Sequence, residues 1–320
     1  MSNPQSAPSA KTLGVLPFVK HHGLGNDFLL IDARALDVAA LTDVAPALCD
    51  RHRGVGADGL LLLLPGALPR MRVVNADGSV PEMCGNGLRC FVQWLDDQGL
   101  WRPLETGGGD RGASGPRSRA DREVGEVDTD AGRLRCGVVR DDDGRIAEVE
   151  VAMGVGAYEP AAVPVVADAA QIDAPFVVDG VTLHLTALSI GNPHAVTFDA
   201  LDEATRLRVG PLLERHPRFP ARVNAEFCVR LPDDEDGTPR LQIDVYERGC
   251  GWTQACGTGA TAAVIAGVRT GRLPASRPVR ARLPGGWLTL TADADGRGTM
   301  RGPTRRVYAG SVDVEAVLAG

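Results

Sequence analysis

Hydrophobic residues along this chain of 320 residues fall into short runs separated by glycine, proline and charged residues. Two runs are continuously apolar and two alternate with polar residues, which are the patterns of fully buried and half-buried strands. The predicted strands are residues 28–31, 60–64, 145–151 and 241–246. Apolar residues with helical spacing follow two glycine motifs and predict helices at about residues 88–98 and 260–269. Strands interleaved with helices predict an α/β or α+β fold.

The length of the chain predicts two domains, since one domain usually holds about 100–200 residues. We expect an N-terminal lobe over residues 18–154, completed by about residues 303–320, and a C-terminal lobe over residues 155–302. The boundary is placed near residues 153–156, where the strand pattern breaks into glycine and proline.

Two segments have the composition of flexible chain. Residues 1–17 form an N-terminal tail whose first ten residues are rich in Ser, Pro and Ala, and residues 105–123 are rich in Gly, Ser and Arg without a large apolar residue. Such segments cannot bury enough apolar surface to offset the entropy lost on ordering. We therefore expect a frayed tail and a flexible inserted loop.

The charge and hydropathy of the chain exclude some partners. The net charge of −7 and the pI of about 5.4 argue against nucleic acid as the main partner. The apolar runs are far shorter than the ~20 residues of a membrane span. Because the N-terminus also lacks the basic and apolar segments of a signal peptide, we expect a cytoplasmic protein with no membrane partner.

The residue inventory also limits cofactor chemistry. Seven scattered cysteines, an odd number, favour reduced thiols over a disulfide framework. Lys11 and Lys20 are the only lysines, which makes a pyridoxal-phosphate Schiff base a poor hypothesis. His21 and His22 stand close to Asp27, but their spacing matches no metal-ligand set, so no metal site is expected.

An internal repeat is the most informative feature of the sequence. Asn75 stands nine residues before the Cys-Gly-x-Gly segment at Cys84, and Glu247 stands nine residues before the same segment at Cys256. Farther upstream, the segment Gly-Asn-Asp at residues 25–27 is echoed by Gly-Asn-Pro at residues 191–193. A repeat of this length predicts two similar lobes related by an approximate two-fold axis, with a ligand cleft between them.

The Cys-Gly-x-Gly segments suggest acid–base chemistry. A cysteine at a helix N-terminus lies near free N–H groups and the positive end of the helix dipole, so we expect a lowered thiol pKa at Cys84 and Cys256. The glycines would let the backbone approach a carboxylate closely. Two such thiols on opposite faces of one carbon can remove a proton from one face and deliver another to the opposite face. A racemase or epimerase can work in this way without a cofactor.

The ordered motifs resemble those of the diaminopimelate epimerase family from about residue 18 to about residue 310. They are HGLGNDF at 22–28, NADGS at 75–79, CGNGLRC at 84–90, GNPH at 191–194, YERG at 246–249 and ACGTG at 255–259. The resemblance implies interconversion of LL- and meso-2,6-diaminopimelate without pyridoxal phosphate or metal, in lysine and peptidoglycan precursor synthesis. It also implies two pseudo-symmetric α/β lobes, each a mostly antiparallel sheet wrapped around a central helix, and a homodimer.

The same resemblance assigns roles to residues. Cys84 is the expected proton donor and Cys256 the acceptor when the LL form is consumed, and His194 and Glu247 complete the catalytic set. Tyr308 matches a residue at the homodimer interface of some members. The expected substrate-binding residues are Asn26, Asn75, Gly85, Asn86, Asn192, Asn224, Glu247, Arg248, Gly257 and Thr258.

The chain departs from the family pattern in three places. The loop at residues 105–123 is longer than expected, Trp252 replaces a residue that is often acidic, and Gly59 replaces a side chain that contacts substrate in some members. No substrate contact is therefore carried over to position 59.

Other classes of protein share parts of this pattern. Proline racemase and hydroxyproline epimerase relatives also use two cysteines but typically carry His where this chain has Asn86, whereas a histidine racemase would share the motifs more fully. A thiol redox sensor could join Cys84 and Cys256 in a disulfide but would not need the flanking glycines and asparagines that hold an amino acid. A non-catalytic binding protein is a third alternative, which the loss of isomerisation in Cys84→Ala would exclude. The residues of the distal pocket would distinguish among the isomerases.

Overall fold

The computed structural model describes residues 13–104 and 123–319, which form two lobes of similar construction. The first lobe contains β1 (Val15–Gly23), β2 (Asn26–Asp32), α1 (Val38–Cys49), β3 (Gly59–Leu64), β4 (Arg70–Asn75), α2 (Gly85–Asp97), β5 (Glu123–Thr129), β6 (Gly132–Arg140) and β7 (Ile146–Val155). The second lobe contains β8 (Ala174–Val178), β9 (Val181–Ser189), β10 (Pro193–Thr197), α3 (Glu203–Glu214), β11 (Asn224–Leu231), β12 (Arg240–Glu247), β13 (Gly251–Trp252), α4 (Gly257–Arg269), β14 (Val279–Leu283), β15 (Gly286–Ala292) and β16 (Arg297–Gly302). The chain continues into β17 (Arg305–Asp313) and α5 (Val314–Ala319).

Strand pairing repeats from one lobe to the other. In the first lobe β2 runs parallel to β3, β3 antiparallel to β4, β4 parallel to β5, and β5, β6 and β7 are antiparallel. In the second lobe the same relations hold for β10, β11, β12, β14, β15 and β16. This repetition confirms the two pseudo-symmetric lobes predicted from the sequence.

The lobes share one continuous sheet through a central seam. β7 pairs antiparallel with β16, so that Val151 faces Met300 and Val149 faces Gly302. At the two outer ends, β17 pairs with β1 and β8 pairs with β9. Counted outward from the seam, the strands of the two lobes therefore follow the same sequence of parallel and antiparallel pairings.

Helices α2 and α4 are the central helices of the two lobes. Each has thirteen residues, and ten of them are buried. The apolar core of α2 includes Leu88, Phe91 and Leu95, whereas α4 contains four buried alanines and packs with Val264 and Ile265. Burying one large apolar side chain stabilises the fold by about 1.5–3 kcal/mol. These helices therefore fix the positions of the residues that precede them.

The observed elements confirm the predicted strands and refine several boundaries. Both predicted helices are present, but each begins three residues earlier, directly after a cysteine. The predicted tail was wrong for residues 15–17, because β1 begins at Val15 and pairs with β17. β7 continues to Val155, so this strand reaches into the predicted domain boundary at residues 153–156. Gly154 has a φ of +97° beside a register shift in the pairing with β16, so this glycine marks a bulge.

Two predicted flexible segments are outside the described residues for most of their length. These parts are residues 1–12 of the tail and residues 105–122 of the loop. Glu123, the last residue of the predicted loop, begins β5. No helix among the described residues is long and apolar enough to cross a membrane.

Candidate active site

The two motif cysteines occupy equivalent positions as N-caps of the central helices. Cys84 precedes α2 and Cys256 precedes α4, both with extended backbone conformations. The backbone N–H of Gly87 donates to Cys84 Sγ at 3.4 Å, and that of Gly259 donates to Cys256 Sγ at 3.3 Å. Each sulphur thus takes the place of the side-chain oxygen that usually caps a helix.

Close packing explains the glycines of the motif. A Cβ at Gly85 would lie 2.8 Å from Met300 Cε, and a Cβ at Gly257 would lie 2.8 Å from Met300 Sδ. A Cβ at Gly259 would lie 3.1 Å from Cys256 Sγ. The sequence suggested that these glycines let a ligand approach, whereas in the structure Met300 at the seam and the capping sulphur already leave little space for a Cβ at these positions.

The predicted direction of the thiol pKa values was wrong. Burial raises the pKa of Cys84 and raises that of Cys256 well above its usual range, and the nearby carboxyl of Glu247 raises both further. The capping N–H groups lower both pKa values, but by less than burial raises them. Desolvation of a thiolate therefore outweighs the helix N-terminus in this arrangement.

Buried polar residues surround Cys256. His194 and Glu226 are fully buried, and His194 Nδ1 lies 2.6 Å from Glu226 Oε1. His194 Nε2 lies 2.9 Å from Asn192 Oδ1, and Asn192 Nδ2 donates to Thr258 Oγ1 at 3.3 Å. Thr258 Oγ1 lies 3.5 Å from Cys256 Sγ. The structure thus brings His194, Asn192, Thr258 and Cys256 together.

A different set of groups surrounds Cys84. Asn26 Oδ1 lies 4.0 Å from Cys84 Sγ and accepts a hydrogen bond from Asn86 Nδ2 at 3.2 Å. Asn26 Nδ2 donates to Asp58 Oδ2 at 2.7 Å. Asn86 Nδ2 also donates to the backbone oxygen of Ala255 at 2.9 Å, so it joins the first lobe to the residue before Cys256.

Glu247 lies at the end of β12, where its carboxyl raises the pKa of both Cys84 and Cys256. Thr253 Oγ1 donates to its Oε1, and burial raises the pKa of the carboxyl. Its position corresponds to that of Asn75 at the end of β4, because the neighbouring strands pair in the same register. Asn75 Nδ2 donates to Ser79 Oγ at 2.9 Å, within the turn that leads towards Cys84.

Asn224 supports the turn that carries Arg248. Asn224 Oδ1 accepts from the backbone N–H of Arg248 at 2.8 Å, and its Nδ2 donates to the backbone oxygen of Pro193 at 3.2 Å. The exposed guanidinium of Arg248 donates to Ala221 O at 3.3 Å. At the equivalent of Asn224 in the first lobe stands Gly59, where a Cβ would lie 2.6 Å from Val74 O.

Trp252 and Tyr308 each pack against other aromatic rings. The Trp252 ring packs against Tyr246 with a centroid distance of 5.3 Å and against Phe227 at 5.7 Å, which accounts locally for this departure. Tyr308 lies on exposed β17 and packs edge-to-face on Phe18 at 5.7 Å.

Sequence reasoning missed Glu226 and Asp58. Glu226 stands in a run of five buried residues of β11, and a charged residue inside such a run was the available signal. Asp58 lies just before β3 and gave no signal of its own. All seven cysteines are free thiols, and no metal-binding group of His, Cys, Asp and Glu occurs among residues 13–104 and 123–319.

Solved structures share this two-lobed fold. A hydroxyproline epimerase from Agrobacterium vitis is 16% identical, with a TM-score of 0.64 over 95% of this chain and 93% of the other. A phenazine biosynthesis protein from Bacillus anthracis is 14% identical, with a TM-score of 0.64 over 94% and 99%. The fold and the paired helix-capping cysteines define a class of two-lobed proteins with one cysteine at the start of each central helix.

Comparison of sequences is more specific. The sequence profile described as diaminopimelate epimerase matches residues 18–156 and 186–307. The diaminopimelate epimerase of Aromatoleum aromaticum is 42% identical over 94% of this chain and 99% of its own length, and that of Synechocystis sp. is 40% identical over 93% and 99%. The chain belongs to the diaminopimelate epimerase family.

Proposed function

We propose that this protein interconverts LL- and meso-2,6-diaminopimelate by moving protons through two thiols, without pyridoxal phosphate or metal. The observation that carries the proposal is the equivalent placement of Cys84 and Cys256 as caps of two central helices in opposite lobes. Membership of the family, with relatives named diaminopimelate epimerase, supports the choice of substrate.

In the proposed reaction the two cysteines exchange one proton each with the same carbon. The Cys256 thiolate takes the α-proton of the LL form, which leaves a carbanion, and the Cys84 thiol delivers its proton to the opposite face. The reverse direction uses Cys84 as the base and Cys256 as the acid. Burial raises both thiol pKa values, and a thiolate with a higher pKa is a stronger base towards a weakly acidic C–H bond.

The helix starts are suited to the carboxylate beside the reacting carbon. N–H groups of a first helical turn have no partner within the helix and attract anions. We assign this role to the helix starts at Gly85 and Asn86 and at Gly257 and Thr258. Two donor sets around one carboxylate would stabilise the charge that develops when the proton leaves.

The remaining site residues divide between the reaction centre and the rest of the substrate. We assign His194 and Glu247 to supporting the thiol pair, and Arg248 to a carboxylate, which its planar guanidinium can bind through two hydrogen bonds. The side chains assigned to the two amino-acid ends of the substrate are Asn26, Asn75, Asn192 and Asn224.

Substrate entry requires movement of the lobes. Cys256 and Asn86 are each only 4% exposed, and the Asn86 side chain hydrogen-bonds across to the second lobe. A substrate reaches the sulphur only when these contacts open. Closure would then remove water and strengthen the hydrogen bonds around the carbanion.

The wider assignments belong to the same proposal. The protein would act in the cytoplasm, in lysine and peptidoglycan precursor synthesis, with lobes at residues 18–154 plus 303–320 and at residues 155–302. We assign homodimer contacts to β17, which is exposed along nearly all of its length and carries the exposed apolar residues Val307 and Tyr308.

Proton NMR of LL-diaminopimelate in deuterated water tests the proposal directly. Purified, reduced enzyme without added pyridoxal phosphate should remove the α-proton signal while the meso form appears. Unchanged LL-diaminopimelate would refute the substrate assignment, and histidine and proline would then test the alternative isomerases of this scaffold. Turnover of LL-diaminopimelate by Cys84→Ala at the unmodified rate would refute the two-thiol mechanism.

A further inference from the structure

Equivalent positions in the two lobes carry different side chains. β2 and β3 are parallel and have the same register as β10 and β11, so each residue of the first pair has a counterpart in the second. A Cβ at Gly87 would lie 2.9 Å from Leu61 Cδ2, and a Cβ at Gly259 would lie 2.8 Å from Glu226 Oε1. The counterparts near the cysteines are Asn26 and Asn192, Phe28 and His194, and Leu61 and Glu226.

A chain of hydrogen bonds joins Glu226 to Cys256 through His194, Asn192 and Thr258, and the donor of each bond can be assigned. With Asn192 Nδ2 donating to Thr258, its Oδ1 only accepts, so His194 Nε2 carries a hydrogen and donates it to Asn192. Burial opposes charge on both partners, lowering the pKa of His194 to about 3 and raising that of Glu226. A neutral imidazole with its hydrogen on Nε2 leaves Nδ1 as an acceptor, so Glu226 in its acid form donates to His194.

The last link of this chain reaches the sulphur. Thr258 Oγ1 accepts from Asn192, which leaves the hydroxyl hydrogen of Thr258 available to Cys256 Sγ at 3.5 Å. Each group therefore donates in the direction of Cys256. A hydrogen bond donated to the sulphur stabilises its thiolate form.

In the first lobe, the amide of Asn26, the counterpart of Asn192, has the opposite orientation relative to its cysteine. Asp58 Oδ2 accepts from Asn26 Nδ2 at 2.7 Å and from the backbone N–H of Asp27 at 3.0 Å. The carboxylate cannot donate, so the amide oxygen of Asn26 is the atom that faces Cys84 Sγ. An acceptor beside this sulphur favours its thiol form.

We propose that Glu226 and Asp58 are positioning residues that orient Asn192 and Asn26 in opposite senses, so that hydrogen-bond donors face Cys256 and an acceptor faces Cys84. Neither carboxyl acts on the substrate. Each acts through an asparagine and so makes the two equivalent thiols chemically different.

Charged groups on other elements also face the sulphurs. Glu247 at the end of β12 raises the pKa of both thiols, and its carboxyl also accepts a hydrogen bond from Cys256, which adds to the thiol form at that sulphur. Arg89 of α2 lowers the pKa of Cys84. Glu247 and Arg89 are unchanged in variants of Glu226 and Asp58, so their contributions cancel when each variant is compared with the parent enzyme. The charge of an anionic Glu226 would raise the pKa of Cys256, so its removal would lower the Cys256 midpoint, opposite to the shift expected for the acid form.

Alkylation of the intact enzyme by iodoacetamide over a range of pH measures each thiol separately. Trypsin cleaves after Arg89 and so separates Cys84 from Cys90, while fragment ions distinguish Cys256 from Cys250 in their common peptide. Glu226→Leu installs the residue found at the equivalent position of the first lobe. Glu226→Gln is the matched conservative variant, because its amide N–H can still donate to His194 Nδ1.

Glu226→Leu should raise the pH midpoint of Cys256 alkylation by about one unit and leave that of Cys84 unchanged, since one hydrogen bond to a charged group is worth about 1.5 kcal/mol. Glu226→Gln should retain the parent midpoint. Thr258→Val should reproduce the shift at Cys256, and it provides the test if Glu226→Leu does not fold. Asp58→Ala should lower the midpoint of Cys84 alone.

Equal shifts at both thiols, or no shift in Glu226→Leu and Thr258→Val, would overturn the proposal. A shift in Glu226→Gln as large as that in Glu226→Leu would also overturn it, because an anionic Glu226 would then be required. The inference rests on the site that the proposed function uses, but alkylation needs no turnover. An enzyme with the expected midpoints and no epimerase activity would therefore refute the proposed function and retain this inference.

Discussion

Helices α2 and α4 have the same length and the same capping cysteine, yet they bury different side chains. Five residues after its cysteine, α2 carries Arg89, which is fully buried and whose Nε and Nη2 have no hydrogen-bond partner. At the same place α4 carries Thr261, which donates to the backbone oxygen of Gly257 at 2.8 Å. The backbone is thus nearly symmetric while the groups around it are not.

This difference follows from the proposed chemistry. Inversion at a carbon requires two acid–base groups on opposite faces, and duplicated helix starts provide them with the same geometry. The substrate has no such symmetry, since one side of the reacting carbon leads to a long chain with a second amino-acid end. Side chains that bind, orient or charge the site can therefore differ between lobes while the helices stay equivalent.

Removal of either cysteine should have the largest effect. Cys84→Ala and Cys256→Ala should each reduce epimerisation by about 10³-fold, since one acid–base group is then absent. With LL-diaminopimelate in deuterated water, α-proton exchange without inversion should persist in Cys84→Ala and disappear in Cys256→Ala. Deuterium incorporation measured by NMR distinguishes the two.

Cys136→Ala is the matched control, because Cys136 is a buried thiol of β6 away from the helix starts. It should retain turnover and exchange. Loss of LL exchange to the same extent in Cys84→Ala and Cys256→Ala would contradict the assignment of one thiol to each face.

The next largest effect concerns acid stability. His21 is fully buried without a hydrogen-bond partner on either ring nitrogen, and burial lowers its pKa to about 4. The unfolded chain binds this proton near pH 6.5, so stability is complete above that pH and falls as the pH drops towards 4. The equivalent position in β9 is Leu188, which has no such dependence.

His21→Leu should therefore remove part of the acid sensitivity. Between pH 7.5 and pH 4.5 the parent should lose about 2.5 kcal/mol more free energy of unfolding than the variant, as measured by urea denaturation. His52→Gln, at an exposed position, should lose as much as the parent. An identical loss in His21→Leu and the parent would show that His21 is protonated in the folded protein.

The sequence predicted the helices and strands better than it predicted the surroundings of individual residues. Strands such as β3 and β12 could be predicted because their apolar patterns follow directly from burial on one or both faces. The helix starts were placed too late, because glycine disfavours a helix by about 1 kcal/mol. Contacts distant in sequence, with Met300 above all, decide that glycine is nevertheless required there.

The site could be predicted as a set of residues but not as a network. The repeated motif identified Cys84 and Cys256, whereas the upward direction of their pKa values depends on burial, which a local motif does not reveal. Glu226 and Asp58 were missed because their partners, His194 and Asn26, are about thirty residues away in sequence. Their roles emerge only when parallel strands bring the pairs together.

The smallest effect tests the symmetry of the seam. Met300 contacts both helix starts, but with different atoms: a Cβ at Gly85 would meet the terminal Cε, whereas a Cβ at Gly257 would meet Sδ. The terminal methyl can rotate away more easily than the sulphur within the chain. Gly257→Ala should therefore destabilise the protein by about 1–2 kcal/mol, and Gly85→Ala by less.

A double-mutant cycle with Met300→Ala isolates this contact. Met300→Ala leaves a cavity and is destabilising by itself, but it removes the atoms that an alanine at position 257 would meet. In that background Gly257→Ala should cost at least about 1 kcal/mol less than in the parent, as measured by urea unfolding. If its cost were unchanged, Met300 would not be the reason for the glycine, and the approach of a ligand to the helix start would be the better explanation. Since the same side chain meets both helices, an unequal response of Gly85 and Gly257 would locate the asymmetry of the lobes at the seam itself.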